Sequence, residues 1–272
     1  MTCKNEQIIL TRYLYNKTEV KHSLFLSILE HNMDEALFWG YELYYSGFEC
    51  DVFMFLIKII ETIFLNSCSF MTDYANFIIK LWNEDNNPLM FGNLIATLCT
   101  KQYNLKDFCK LYLKIEGFQQ NEREKNLLIV ELDEDHIKKY KNIDSEQPDK
   151  VLKERCNYHI RKNVNRLFNL QLPEYQELHK IYCSEWLYYA SHSPIWKERI
   201  YEYNGNIDNE TKNIIFCNID DEEAFYNKYN YNVDEQPTNI FHKIMGTSET
   251  LYDTIKDFCK KYKFIMKTKR RV

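Results

Sequence analysis

Between Thr18 and Leu65 the apolar residues return every three or four positions, and this periodicity constrains the fold more than any other feature of the chain. Residues 18–30 read as a helix, with Thr18 as its cap and Leu24, Phe25, Ile28 and Leu29 on one face. Asn32-Met33-Asp34-Glu35 has the form of a capping box, which gives orphan backbone N–H groups a side-chain acceptor. Its acids also sit where the helix dipole favours them. Leu37, Phe38, Tyr41, Tyr44 and Tyr45 continue at helical spacing, and Gly47 supplies a left-handed stop. A third helix, about 49–65, is apolar nearly all round and is expected to be buried on most sides.

Further helices are expected at about 72–83, at 88–101 with Pro88 in the first turn, and at 104–116 ended by Gly117. Residues 119–150 change character: NEREKN and KKYKNIDSEQPDK are charged and flank one strand-like run, 127–132. A second helical region covers about 150–203, broken near Pro173 and Pro194, and helices follow at about 220–230, 237–245 and 248–266. Residues 214–219 read as a strand that can pair with 127–132. With only 6 Gly and 5 Pro in 272 residues, a loop-rich sandwich is excluded. The fold expected is mainly α: antiparallel helical hairpins stacked as an irregular HEAT-like α-solenoid or bundle, with at most one small strand pair. The organisation expected is an N-terminal helical domain at 1–118, a charged linker or excursion at 119–150, and a C-terminal helical region with a basic tail at 151–272.

Composition narrows the function classes. A net charge of −5 means that the whole surface is not a nucleic-acid footprint, although 218–235 is acidic and 260–271 strongly basic. The nine cysteines are odd in number and none sits in a CxxC, which together with the lack of a signal peptide leads to an expectation of reduced thiols in the cytosol. The longest apolar run, 52–60, contains Lys58 and is too short to span a bilayer, so no membrane is expected. There is no GxSxG elbow, no GxxxxGK[ST] and no GxGxxG, which disfavours hydrolase-elbow, P-loop, kinase and Rossmann chemistry.

Four constellations remain. The first is aromatic. Trp39, Tyr41, Tyr44, Tyr45 and Phe48 lie close together, as do Trp186, Tyr188, Tyr189 and Trp196, and such stripes serve either a core or a partner interface. The 21 Tyr and 17 Phe admit the same two readings, an interaction surface or the codon bias of an A+T-rich genome. FWGYELYYSGF spreads its aromatics wider than one apolar face, so some of them are expected to face a partner or a neighbouring repeat. The second is the tail, where Lys260, Lys261, Lys263, Lys267, Lys269, Arg270 and Arg271 can neutralise phosphates and Tyr262 and Phe264 can stack on bases. The third is acidic: Glu131, Asp133 and Asp135, with Glu174, Glu177 and Lys180, have a spacing that permits a metal-dependent nuclease, and equally suits solvated caps. The fourth pairs Cys156 with His159 and His179 with Cys183, but neither pair has a partner pair at zinc spacing. No metal and no cofactor is therefore expected.

The stretch HSLFLSILEHNMDEALFWGYELYYSGFE, His22–Glu49, resembles a segment of uncharacterised proteins of large nucleocytoplasmic DNA viruses, the giant viruses. EWLYYASHSPIWKERI, Glu185–Ile200, and FYNKYNYNVDEQP, Phe225–Pro237, are similar to the same group. The resemblance implies a virus-encoded protein of the host cytoplasm, at the virus factory, with other viral proteins as partners. By analogy with the helical scaffold of cap-dependent translation initiation, those partners are a cap-binding protein and a helicase. Such scaffolds hold the cap-binding protein with a Tyr-x-x-x-x-Leu-hydrophobic helix, which Tyr182 and Leu187 match, with Trp186 beside them and Tyr188 departing from the usual aliphatic residue in the last position. The function expected is a non-catalytic scaffold or adaptor. The alternatives are a metal-dependent nucleic-acid-processing enzyme working through Glu131 and Asp133, and an RNA-binding module working through the tail.

Overall fold

The computed structural model describes residues 7–120, 128–141 and 147–267. Before the first helix, residues 7–16 form a buried loop. Thr11 and Tyr15 close a turn, Leu14 takes a left-handed φ of 64°, and Leu10 bridges to Asn16. A left-handed leucine costs about 1–2 kcal/mol. It is held because the Tyr182 hydroxyl donates to the Leu14 carbonyl at 2.6 Å and Trp196 Nε1 donates to the Thr11 carbonyl at 3.1 Å.

Helix α1 (Lys17–Leu29) is capped by Asn16, whose Oδ1 accepts from the N–H groups of Thr18 and Glu19, so the cap lies two residues before the Thr18 expected. Asn32 caps α2 (Met33–Tyr44) as its sequence implies, accepting from Glu35 N. The reciprocal bond differs from a full box: Asn32 Nδ2 reaches the Glu35 carboxylate, while the Asn32 N–H is taken by Ser27 O. Gly47 turns the chain at φ 85°, and a Cβ there would lie 2.5 Å from Pro194 Cβ, so conformation and close approach both require glycine.

Helix α3 (Glu49–Ile59) runs on into a π-helical turn at Ile60–Phe64. It is less enclosed than its composition suggests, with Val52, Phe53, Leu56 and Ile59 buried but Met54 in solvent. Next come α4 (Phe70–Asp85), α5 (Pro88–Thr100) and the short α6 (Lys106–Phe108), which passes into a second π turn at Cys109–Leu113. Lys114, at φ 57°, ends that turn, and Gly117 starts a strand rather than stopping a helix. Helices α1 and α2 pack on each other and both on α5, out of sequence order, so these hairpins form a bundle.

Strand β1 (Gly117–Gln119) is followed by α7 (Glu134–Lys138) and α8 (Val151–Arg155), then by α9 (Tyr175–Ser184), α10 (Trp186–Ala190) and α11 (Pro194–Glu202). Strands β2 (Gly205–Asp208) and β3 (Asn213–Phe216) form an antiparallel hairpin. The chain continues through α12 (Ile219–Tyr229), α13 (Thr238–Met245), α14 (Ile255–Lys261) and β4 (Phe264–Met266).

The mainly α expectation holds, with two small strand pairs among the described residues. The pairing differs from that expected. Residues 213–216 pair with 205–208, whereas 128–132 form no strand, and β4 returns across the molecule to β1 in the register Phe118 to Ile265. Residues 156–174, expected within a helical region, carry no helix, and 248–254 precede rather than belong to α14. One hydrophobic cluster runs from Ile8 to Phe264, and contacts span both expected domain boundaries, among them the Arg12 guanidinium on the Tyr140 carbonyl and the β1–β4 ladder. No helix of the described residues is long and apolar enough to cross a membrane.

Candidate functional site

The aromatic constellations are interior. Trp39 and Tyr41 are 0% exposed, and Tyr44 and Phe48 are buried. Trp39 packs edge-on to Tyr15 at 4.9 Å, and Tyr41 stacks between Tyr45 and Tyr140. The aromatic side chains of α2 pack against Phe91 of α5, Tyr15 of the N-terminal loop and Tyr140. The second group behaves alike. Trp196, Tyr182 and Leu187 are buried, Trp186 packs against Trp196 and Tyr231, and Tyr188 is half-buried with its hydroxyl near Asn209. The partner role expected of Trp39, Tyr41, Tyr44, Phe48, Tyr182, Leu187 and Trp196 is thereby corrected, because their faces are spent on the core; the half-buried Tyr45, Trp186 and Tyr188 also pack internally. The Tyr182–Tyr188 motif spans the junction of α9 and α10 and points its tyrosine at Leu14.

In the basic segment Lys260, Lys261, Lys263 and Lys267 are exposed, while Lys269, Arg270 and Arg271 lie outside the described residues. Tyr262 and Phe264 are buried and do not offer stacking faces. Lys261 and the Tyr262 hydroxyl both bind Glu30, at 2.7 and 3.0 Å, and strand β4 ties this segment to β1. Of the carboxylates, Asp133 caps α7 and pairs with His136, and its hydrogen bonds from His136 hold its carboxyl below the usual range. Glu131 and Asp135 are exposed, and Glu174 stands at the start of α9. Cys156 is buried against the Tyr13 carbonyl, and Cys183 lies 3.5 Å from His179 Nδ1. Among the described residues no three His, Cys, Asp or Glu side chains converge as metal ligands.

What sequence reading missed is a set of buried charges and the cleft above one of them. Arg12 and Glu42 form an ion pair at 2.9 Å deep in the bundle, closed by the backbone N–H of Tyr13 on Glu42. Burial raises the Glu42 carboxyl above its usual range against the pull of Arg12. Arg161 takes Glu35 with two bonds, at 2.8 and 2.5 Å, and Glu30 with a third. A third chain links Lys162, Glu19, Asn165 and His22. Lys162 Nζ is 3.6 Å from Glu19 Oε1, Asn165 Nδ2 donates to that oxygen at 2.7 Å, and Asn165 Oδ1 faces His22 Nδ1 at 3.3 Å. Because the Asn165 oxygen can only accept, His22 carries its proton on Nδ1. Burial pushes its imidazole down to about 4, and raises the Glu19 carboxyl.

Above this chain lies a cleft of about 580 Å³, between the irregular segment 162–175 and the loop 247–252. Its floor includes Lys162, 8% exposed, whose stem runs under Gly246: a Cβ at Gly246 would meet Lys162 Cδ at 2.6 Å, and its φ is 78°. Its walls include Arg166, Tyr252, Thr247, Ser248, Leu172 and Tyr175. The Arg166 guanidinium sits over the Tyr252 ring, 3.9 Å from its centre. No protein-family model, no curated protein and no solved structure matches the chain.

Proposed function

We propose that the protein is a non-catalytic scaffold or adaptor in a protein complex, with its contact surface on the β1–β4 ribbon. The observation that carries this reading is the cross-strand pair Phe118 and Ile265, 52% and 43% exposed and directly opposite in register. Two large apolar side chains side by side on an outer sheet face invite cover. Exposed Lys263 and Lys267 flank β4 and exposed Lys260 stands in the last turn of α14, so the partner proposed is a protein with an extended, acidic segment. The virus-encoded setting and the cap-binding and helicase partners that the resemblance implies remain part of the proposal; they no longer draw on Tyr182 and Leu187, which are buried.

The test is affinity purification from infected cells with wild type and a Phe118→Ser, Ile265→Ser double variant. The expected result is one stoichiometric partner, carrying an acidic segment, that the double variant loses while retaining its melting temperature. Equal recovery of that partner by both proteins overturns the reading. The four exposed lysines between 260 and 267 also favour RNA contact, in which case the material lost is RNA and its retention falls steeply with salt.

A further inference from the structure

The cleft at 162–175 and 247–252 has a built polarity that the scaffold reading does not use. Arg12 and Arg161 are each committed to buried carboxylates. Arg166 has no carboxylate within ion-pair distance among the described residues, and its guanidinium sits over the Tyr252 ring. A stacked guanidinium keeps its N–H edges free to bind an oxyanion, and the stacking reduces the rotamer freedom that binding would otherwise cost.

On the opposite lip the turn 247–250 is closed by its own bonds, with Thr250 Oγ1 donating to the Thr247 carbonyl and accepting from its N–H. The hydroxyls of the exposed Thr247 and Ser248 take no part in that closure, and both residues line the cleft. The rest of the lining is mixed, with Asn165 and Gln171 beside the apolar Leu170, Leu172, Pro173, the ring of Tyr175 and the exposed Leu251. Lys162 adds a cation at the floor that Glu19 already balances, and Glu174 stands at the rim without pairing to Arg166.

We infer that this cleft binds a small organic phosphate monoester, its phosphate on Arg166 and the Thr247 and Ser248 hydroxyls and its apolar body against Leu172 and Tyr175. Arg166, Thr247 and Ser248 line the same cleft, and a phosphate monoester offers such donors three terminal oxygens where a carboxylate offers two. The volume suits a ligand of nucleotide size, since such pockets run to roughly 300–1,000 Å³.

Titration calorimetry of the full chain with phenyl phosphate, phenol and benzoate tests the site. Phenyl phosphate is expected to bind saturably and more tightly than either of the others. Arg166→Ala is expected to weaken it at least about tenfold, the loss of a charge-assisted contact. Tyr252→Leu, which removes the stacking partner, is expected to weaken it less. Arg166 is exposed, so Arg166→Ala is expected to keep the wild-type melting temperature. Equal affinity of wild type and Arg166→Ala, phenol or benzoate binding as well as phenyl phosphate, or no saturable binding at millimolar concentration overturns the inference. Neither variant touches Phe118 or Ile265, so failure here leaves the scaffold reading standing.

Discussion

The α1–α2 hairpin and the segment 156–175 pair their buried charges with each other, yet only the segment turns a further charged side chain, Arg166, into a cleft. In the hairpin each buried carboxylate has a cation opposite it, Glu42 with Arg12 of the N-terminal loop and Glu35 and Glu19 with Arg161 and Lys162 of the segment 156–175, and the aromatics of α2 pack against α5 and the N-terminal loop. In 156–175 the backbone leaves the helix, one face of the segment binds Glu19 and the hairpin, and the other opens into a cleft with Arg166 stacked on Tyr252. The difference teaches that aromatic density marks where this chain is closed. Its open chemistry sits where the aromatics thin out and the helix breaks.

The sharpest way to break the comparison is Trp39→Ala. It removes a fully buried ring and the Nε1 bond to Glu35, and the expected loss is about 3–5 kcal/mol, read from urea unfolding. A loss below about 1 kcal/mol would mean that the hairpin is not the closed half. Glu42→Ala is expected to cost about 3–5 kcal/mol by leaving Arg12 buried and uncompensated, and the double variant Arg12→Met, Glu42→Leu to recover most of it. If the double variant is as unstable as the single, the pair acts through more than its charges.

The smaller effect is a pH dependence at the joint between the two regions. His22 is neutral in the folded chain down to about 4, while its unfolded value is 6.5. Below pH 6.5 the unfolded chain takes up a proton that the folded one does not, so stability falls as pH falls, by up to about 1.4 kcal/mol per pH unit. The raised Glu19 carboxyl acts in the opposite sense and is present in both wild type and His22→Gln, so the difference between the two across a window of pH 7 to 5.5 reports His22. Comparing urea midpoints of wild type and His22→Gln across that window checks this. Equal slopes would place His22 outside the buried chain.

The legible part of the fold is local. Asn32, Gly47 and Pro88 state their roles in the sequence because a cap, a left-handed stop and a first-turn proline act through neighbouring backbone groups. The acidic start of α7 was legible as a cap for the same reason. The partner face read into Trp39, Tyr41 and Trp196 was not legible, because helical spacing reports that a face is apolar and is silent on what covers it. The cleft was illegible for a related reason: Arg166 and Tyr252 are 86 residues apart, and no periodicity brackets them.

The sequence by itself determined the mainly α class, the caps and stops of the first hairpin, and the absence of a phosphate-cradling glycine motif. Those are matters of hydrogen bonds and torsions within a few residues. Only the tertiary structure decided that the 7–16 loop is pinned by Tyr182 and Trp196, that β4 pairs with β1, and that Lys162 is balanced by Glu19 while Arg166 faces a cleft. Each of those depends on burial and on partners more than 80 residues away, where solvent exclusion sets which charges and rings are answered and which are left open.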